Sequence, residues 1–190
     1  NPSAKEMYSE DFTTYVNMTG VTEQLCGKSR PVHFKGVCTV VSKLFHIVKP
    51  DNAYFGQKDA QQLAVIKRMV RDLNIDVNVV GCPIVREEDG LAKSSRNTYL
   101  NAEERKAAVV LSKAVKLGEK MISEGETDTG NIVSAMKALI GQEPLVKIDY
   151  VEAVDADSIV PVNMTNGRRV LFAEAVFIGK TRLIDNFIAE

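Results

Sequence analysis

The sequence is poor in the residues that build covalent or metal-held frameworks. Its 190 residues include no tryptophan, two histidines and three cysteines. The cysteines, Cys26, Cys38 and Cys82, are far apart and odd in number, whereas a disulfide framework favours an even, dense set and a zinc site favours close pairs. We therefore expect reduced, mostly buried thiols in a cytoplasmic protein.

Long apolar runs and an excess of one charge are also missing. No apolar run approaches the roughly 20 residues that span a bilayer, and the first residues, NPSAKEMYSEDF, lack the basic-then-apolar pattern of a signal peptide. The formal net charge is −1, so no chain-wide field favours nucleic acid or an anionic membrane. With 45% hydrophobic and 26% charged residues, the composition is that of a globular protein.

Neither the P-loop pattern nor the glycine-rich Rossmann fingerprint occurs in the chain. Residues 52–81 nevertheless predict a parallel α/β unit: NAYF as a strand, GQKD as a tight loop, AQQLAVIKRMVRDL as a helix and DVNVVG as a second strand. In such sheets ligands bind beyond the carboxyl ends of the strands, where GQKD lies. The helix would turn four apolar side chains inward: Leu63, Ile66, Val70 and Leu73.

The residues before this unit predict three elements. FTTYVNM (12–18) alternates like a strand, and VTEQLCG predicts a single helical turn that ends at Gly27. A longer helix should follow and end at Lys49-Pro50. Its apolar face would comprise Val37, Val40, Val41, Leu44, Phe45 and Val48.

The second half predicts a small α+β domain. Asn101 and Glu104 form a capping-box pattern that opens a helix to about Gly125. A second helix, the strands VKIDYVEAV and RRVLFAEAVFI, and a hairpin at Gly179-Lys180 into TRLIDN follow. The expected domains are residues 1–85 and 86–190. The inward helix residues would be Ala107, Leu111, Ala114, Val115, Met121 and Ile122, then Ile132, Met136, Leu139 and Ile140.

Three polar stretches are candidate sites, and each has a simpler structural interpretation. In GQKD, Gly56 allows close approach and Lys58 adds a charge near free helix N–H groups, with Gln62 one turn on; alternatively, Asp59 caps the helix and Lys58 is solvated. GLAKSSRNTYL offers Ser94, Ser95 and Arg96 to an anion with several oxygens, or is a basic surface turn. SRPVHFKGV offers Arg30 and His33, although a histidine that caps backbone groups fits equally. His46 is expected at the surface.

Four stretches of the chain resemble the pantoate–β-alanine ligase (pantothenate synthetase) family in order and spacing. They are SRPVHFKGVCTVVSKLFHIVKP, YFGQKDAQQLAVIKRMV, VGCPIVREEDGLAKSSRNTYL and TRLIDN. The resemblance implies an α/β fold, in which a Rossmann-like nucleotidyl-transferase (HUP-type) domain with a parallel sheet precedes a small α+β lid domain, in a homodimer. It also implies that ATP and pantoate give a pantoyl adenylate and pyrophosphate, after which the amine of β-alanine releases AMP and pantothenate.

The resemblance also implies roles for the matching positions. ATP would be bound by Gly56, Lys58, Asp59, Val85, Ser94, Ser95 and Arg96. Pantoate would be bound by Gln62, Phe55, Val40 and Val41. Arg30 and His33 would lie toward β-alanine. The residues implied in catalysis are Lys58, Ser94, Ser95, Arg96 and His33, with the Ser-Ser-Arg loop grasping the β and γ phosphates.

The chain departs from the family in one respect, because the family's HIGH-like histidine motif does not occur in it. We therefore expect a C-terminal fragment that is inactive alone, with the Mg²⁺ ligands mainly in the missing N-terminal part and no metal site in the fragment. Two alternatives stay open. One is an adenylate-forming ligase of the same superfamily that uses another acid, and the other is a non-catalytic dimerisation or ligand-binding module.

Overall fold

The N-terminal segment runs along the surface without joining a sheet. The computed structural model describes residues 2–190, and its first helix, α1 (Ala4–Met7), is a single turn with a capping box. The predicted strand at residues 12–18 is wrong, because this stretch pairs with no strand among the described residues. The Val16 N–H instead donates to the Thr39 hydroxyl at 3.0 Å, so a side chain replaces the backbone partner that a strand requires.

Helices α2 (Cys26–Ser29) and α3 (His33–Val48) follow. The prediction that Gly27 ends a helical turn is wrong, since Gly27 lies inside α2 and is buried. A Cβ atom at this position would collide with the Thr22 carbonyl. The glycine is therefore required by a close backbone approach rather than by a helix end.

Helix α3 ends at Lys49 as predicted, but it buries a different face. Leu44 is 37% and Val48 64% exposed, because apolar residues occur around much of this helix and periodicity alone does not select the packed side. His46 is exposed, as expected. The buried residues of α3 are Phe34, Cys38, Thr39, Ser42 and Phe45.

The predicted βαβ unit is confirmed. It consists of β1 (Asn52–Gly56), α4 (Ala60–Asp72) and β2 (Asn78–Cys82), with a 3-10 turn, Gln57–Asp59, between β1 and α4. The strands are parallel, with Asn52 opposite Asn78 and Gly56 opposite Cys82. Leu73, predicted to face inward, is 51% exposed because α4 has already ended.

The second half is the predicted α+β unit. Its antiparallel sheet has the order β3-β4-β5, and Gly179, at φ 56°, allows the tight turn between β4 and β5. Asn101 and Glu104 form the predicted capping box, but the helix is interrupted after Ala107. The elements are α5 (Ala102–Ala107), α6 (Val109–Ser123), α7 (Thr129–Ile140), β3 (Val146–Asp155), β4 (Val170–Ile178) and β5 (Thr181–Ala189).

The three-stranded sheet is covered on both faces. On one face, Phe172 packs with Leu111 of α6 and the residues of α7. On the other face, Leu171 packs in a second cluster with Phe34 of α3 and Ile66 of α4. Buried apolar contacts thus join the first half of the chain to the second around β4.

No helix within residues 2–190 is long and apolar enough to cross a membrane. The three cysteines are free thiols, but the expectation that they are mostly buried is wrong, since Cys38 is buried whereas Cys26 and Cys82 are partly exposed.

Candidate functional site

A cavity of about 120 Å³ opens where the first half of the chain meets the sheet of the second half. It lies between the start of α3, the turn after β1, strand β5 and a second 3-10 turn, Ser95–Tyr99. The surplus of positive groups on its wall favours a ligand with several negative charges. Five basic residues line it: Arg30, His33, Lys58, Arg96 and Arg182.

The turn after β1 places Lys58 on the cavity wall. Lys58 is half-buried rather than solvated, and burial lowers the pKa of its ammonium group, an effect that the carboxylates of Asp59 and Asp185 oppose. Asp59 precedes α4 but makes no side-chain capping bond. The simpler interpretation of GQKD, a capping aspartate beside a solvated lysine, is therefore not what the structure shows.

Gly56 and the two glutamines complete this side of the cavity. A Cβ atom at Gly56 would meet no atom of the described residues within 4 Å, so their packing does not require a glycine there. Gln61 is buried and structural: its amide accepts from the Cys26 N–H at 3.0 Å and donates to the Gln24 carbonyl at 2.7 Å. Gln62, the predicted ligand, lines the cavity.

Arg30 and His33 lie together at the start of α3, on the same cavity. Burial lowers the pKa of the His33 imidazole, and the positive charge of Arg30 lowers it further. The imidazole is therefore mainly neutral near pH 7 and able to accept a proton. Within residues 2–190 its ring forms no hydrogen bond to a backbone group, so the capping interpretation of this histidine has no support.

The serine–arginine loop is carried by a small hairpin. The Lys93 N–H donates to the Val85 carbonyl at 2.8 Å, and Gly90, at φ 93°, makes the turn. Ser94 Oγ accepts from the Arg96 N–H at 3.2 Å, which leaves its hydroxyl hydrogen available to an anion. Arg96 is exposed and lines the cavity, whereas Ser94 and Ser95, its neighbours in the sequence, do not.

Sequence reasoning missed a cluster around Arg182, which also lines the cavity. Arg182 donates through Nε and Nη2 to Asp149 Oδ2 at 2.9 and 2.8 Å, and through Nη2 to Cys26 Sγ at 3.4 Å. The Tyr150 hydroxyl lies 3.6 Å from the same sulfur, and burial raises the pKa of Tyr150 above its usual range. The arginine of TRLIDN was the available signal, but a strand pattern does not show which distant loop the strand meets.

The same strand carries a second missed group, Asp185 and Asn186, beside the turn that holds Lys58. Glu174 lies opposite Asp185 in the β4–β5 pair and is fully buried, and among residues 2–190 neither of its carboxyl oxygens has a hydrogen-bond partner. Burial raises the pKa of Glu174 well above its usual range, and the Asp185 carboxylate raises it further. Its surroundings therefore favour the protonated, neutral form of this carboxyl group.

Several predicted site residues lie outside this cavity. Phe55 packs its ring 6.4 Å from that of Phe45, and Val85 is 63% exposed at the base of the hairpin. Those that do not line the cavity are Val40, Val41, Phe55, Gly56, Val85, Ser94 and Ser95. Among residues 2–190, no group of three or more histidine, cysteine, aspartate or glutamate side chains could hold a metal ion.

A βαβ unit with a cation-lined cavity at the carboxyl end of β1 is the arrangement of α/β proteins that bind phosphorylated ligands. Residues 1–188 match the family model described as pantoate-beta-alanine ligase. The chain belongs to this family of ligases.

Named relatives agree with the family model. The chain is 62% identical over 190 residues to a pantothenate synthetase of Enterococcus faecalis and 60% identical over 187 residues to one of Ruminiclostridium cellulolyticum. These alignments cover 100% and 98% of this chain but 67% and 66% of the relatives. The chain thus spans about two thirds of their length.

Solved structures show the same relationship. A pantothenate synthetase from Thermus thermophilus has a TM-score of 0.92 at 43% identity, over 98% of this chain and 67% of that one. A Francisella tularensis pantoate-beta-alanine ligase complexed with beta-gamma ATP and beta-alanine has a TM-score of 0.72 at 31% identity, over 99% and 63%. The family, the fold class and the ligase class that the resemblance implied are confirmed.

Proposed function

We propose that this chain supplies much of an active site that joins pantoate to β-alanine through a pantoyl adenylate, at the cost of ATP. The observation that carries the proposal is the meeting of Lys58 and Arg96, from two halves of the chain, on one cavity at the end of β1. A relative's structure was solved with beta-gamma ATP and beta-alanine, and the phosphate groups of the first ligand carry the several negative charges that the cavity favours.

In the first step a pantoate carboxylate oxygen attacks the α-phosphorus of ATP, and the bond to the leaving pyrophosphate breaks. Negative charge grows on the phosphoryl oxygens, so the protein needs preorganised cations and donors rather than a covalent nucleophile. Lys58 and Arg96 would supply the cations, and the hydroxyls of Ser94 and Ser95 would donate. At Gly56 the space that a Cβ atom would fill is empty, so ATP could approach the protein backbone closely there. Asp59 and Val85 would also contact ATP.

Pantoate would lie along α3 and α4. Gln62 lines the cavity and can donate to the carboxylate or hydroxyls of pantoate. Phe55, Val40 and Val41 are partly buried and would form an apolar wall for its dimethyl group.

In the second step the amine of β-alanine attacks the acyl carbon, the bond to AMP breaks, and the nitrogen loses a proton. Arg30 offers the cation that the β-alanine carboxylate requires, and the neutral imidazole of His33 can accept the proton. Both residues lie on the same side of the cavity.

Several implied features stay predictions. Magnesium would neutralise phosphate charge, but the residues described do not form a site for it. We further propose a homodimer, a cytoplasmic location and the inactivity of this chain alone. The relatives' greater length supports only the proposed inactivity.

The test is AMP formation from ATP that depends on both pantoate and β-alanine, in this chain and in the same chain completed with the N-terminal third of the Enterococcus faecalis relative. We expect activity only in the completed protein. Activity with another acid in place of pantoate would favour a different adenylate-forming ligase. If the completed protein forms no AMP with any acid, a non-catalytic binding module would be favoured.

A further inference from the structure

Asn186, in β5, fixes the turn that carries Lys58. Its buried side chain donates to the Gln57 carbonyl at 3.1 Å and to the Lys58 carbonyl at 2.9 Å. Asn186 and Lys58 are 128 residues apart in the sequence. These bonds therefore set the position of the lysine turn relative to the sheet of the second half.

The preceding residue, Asp185, fixes the hairpin that carries Arg96. Its carboxylate is 1% exposed and accepts two hydrogen bonds from the Arg86 guanidinium, at 2.6 and 3.0 Å. Arg86 also donates to the Gly90 carbonyl at 3.0 Å and forms a β-bridge with Ala92. A bidentate pair of this kind restricts both partners, so the base of the hairpin is held against β5.

We propose that Asp185 and Asn186 are positioning residues for the phosphate-binding cations: Asn186 holds the Lys58 turn and Asp185 holds the Arg96 hairpin, so that both cations meet one ligand. The inference rests on the proposed function where activity is the readout. Its mechanical part, the connection of two loops to one strand, is independent of which ligand is bound.

Asp185 has a second effect through its charge. Burial lowers the pKa of Lys58, and Asp185 is one of the two carboxylates that oppose this. Removing its charge should lower the pKa of Lys58 further. The ammonium form, which would bind the phosphates, should then be lost at a lower pH. Asn186 carries no charge and should lack this effect, which separates the two residues.

Hydrogen exchange on this chain tests the mechanical part without any activity. In Asn186→Ala, amides of residues 57–62 should exchange faster, and in Asp185→Asn those of residues 86–96 should do so, while α7 stays as in the parent. Unchanged exchange in these two segments would overturn the proposal.

Kinetics in the N-terminally completed protein test the rest. We expect Asn186→Ala to lower kcat for AMP formation about 10–100-fold. It should not move the alkaline limb of the pH profile, which is the fall in activity as Lys58 loses its proton. Asp185→Asn should lower kcat similarly and move that limb to lower pH. Asp157→Asn, at a surface pair with Arg169, is the control and should change neither.

A second variant covers the case in which Asp185→Asn does not fold. Arg86→Lys keeps both charges but loses the bidentate bond, so it should slow AMP formation and leave the alkaline limb in place. Normal kcat in Asn186→Ala, or a slowed Asp185→Asn with an unmoved limb, would contradict the proposal. If the completed parent makes no pantoate-dependent AMP, the proposed function fails, and hydrogen exchange still decides the positioning.

Discussion

Lys58 has two unusual properties for a surface-loop lysine: it is half-buried, and its backbone carbonyl is held by a residue from the far end of the chain. Burial removes water from the ammonium group, and few protein acceptors replace that water. An anion with several oxygens would restore the lost interactions. The sequence indicated the lysine but not the burial, because Asn186 and Asp185 approach only in the folded chain.

Glu174 gives a pH-dependent prediction at the residue scale. Its pKa is raised in the folded protein, by burial first and then by Asp185, while Arg86 opposes the shift. The folded state therefore binds a proton that the unfolded state releases above about pH 4.5. Stability from this group is complete below that pH and is lost as pH rises toward the raised pKa.

We expect Glu174→Leu to stabilise the protein by about 1–3 kcal/mol at neutral pH, since it removes a buried polar group without a partner. The advantage over the parent should grow in urea unfolding as the pH rises above the usual glutamate pKa, about 4.3, toward the raised pKa of Glu174. Glu174→Gln, which cannot titrate, is the matched control and should show the same growth. A pH-independent difference would contradict the raised pKa.

At the scale of elements, the short helix α2 depends on one glycine. Gly27 faces the Thr22 carbonyl at a distance that excludes a Cβ atom, and Gln61 ties the surrounding loop to α4. Helix α2 lies on the cavity wall through Cys26. Its position therefore comes from tertiary contacts rather than from helix propensity.

Gly27→Ala should destabilise the chain by about 1–3 kcal/mol, because the backbone must move to admit the methyl group. Gly36→Ala is the matched control: Gly36 is an exposed glycine within α3, and a Cβ atom there meets nothing within 4 Å. This second change should stabilise by about 0.5–1 kcal/mol. Equal effects in thermal or urea unfolding would contradict the close approach at Gly27.

The elements that sequence predicted well are those with a strong local signal. The β1–α4–β2 unit was predicted because a short apolar strand, a helix with regularly spaced apolar residues and a second strand follow one another in the sequence. Asn101 and Glu104 form a specific pattern for a helix start. The prediction of a strand at residues 12–18 was wrong because an alternating pattern forms a strand only where a partner strand is present. The interruption of the helix after Ala107 was not predicted, because no proline or glycine occurs there.

At the scale of the whole molecule, the site depends on contacts between the two halves. Arg30, His33, Lys58 and Gln62 come from the first half, whereas Arg96 and Arg182 come from the second. The apolar cluster around Leu171 joins these halves. The motifs included four of the five basic residues on the cavity, but Arg182 and Asp185 could be placed there only from the fold.

Apolar side chains also remain exposed in the first half of the chain. Ile47 is 65% and Val48 64% exposed on α3, and Tyr54 is 67% exposed on β1. We expect this chain to self-associate through such surfaces. We also expect the completed protein, which would have the relatives' full length, to cover them.

The most direct test of the account is pantoyl adenylate formation in a single turnover of the completed protein, with Lys58→Ala and Arg96→Ala compared with the parent. Lys137→Ala and Arg71→Ala, at exposed positions away from the cavity, are the controls. We predict that each cavity variant is slower by about 10²–10³-fold, the loss typical of one preorganised donor, and that the controls match the parent. Adenylation at the parental rate in either cavity variant would remove that residue from the phosphate site.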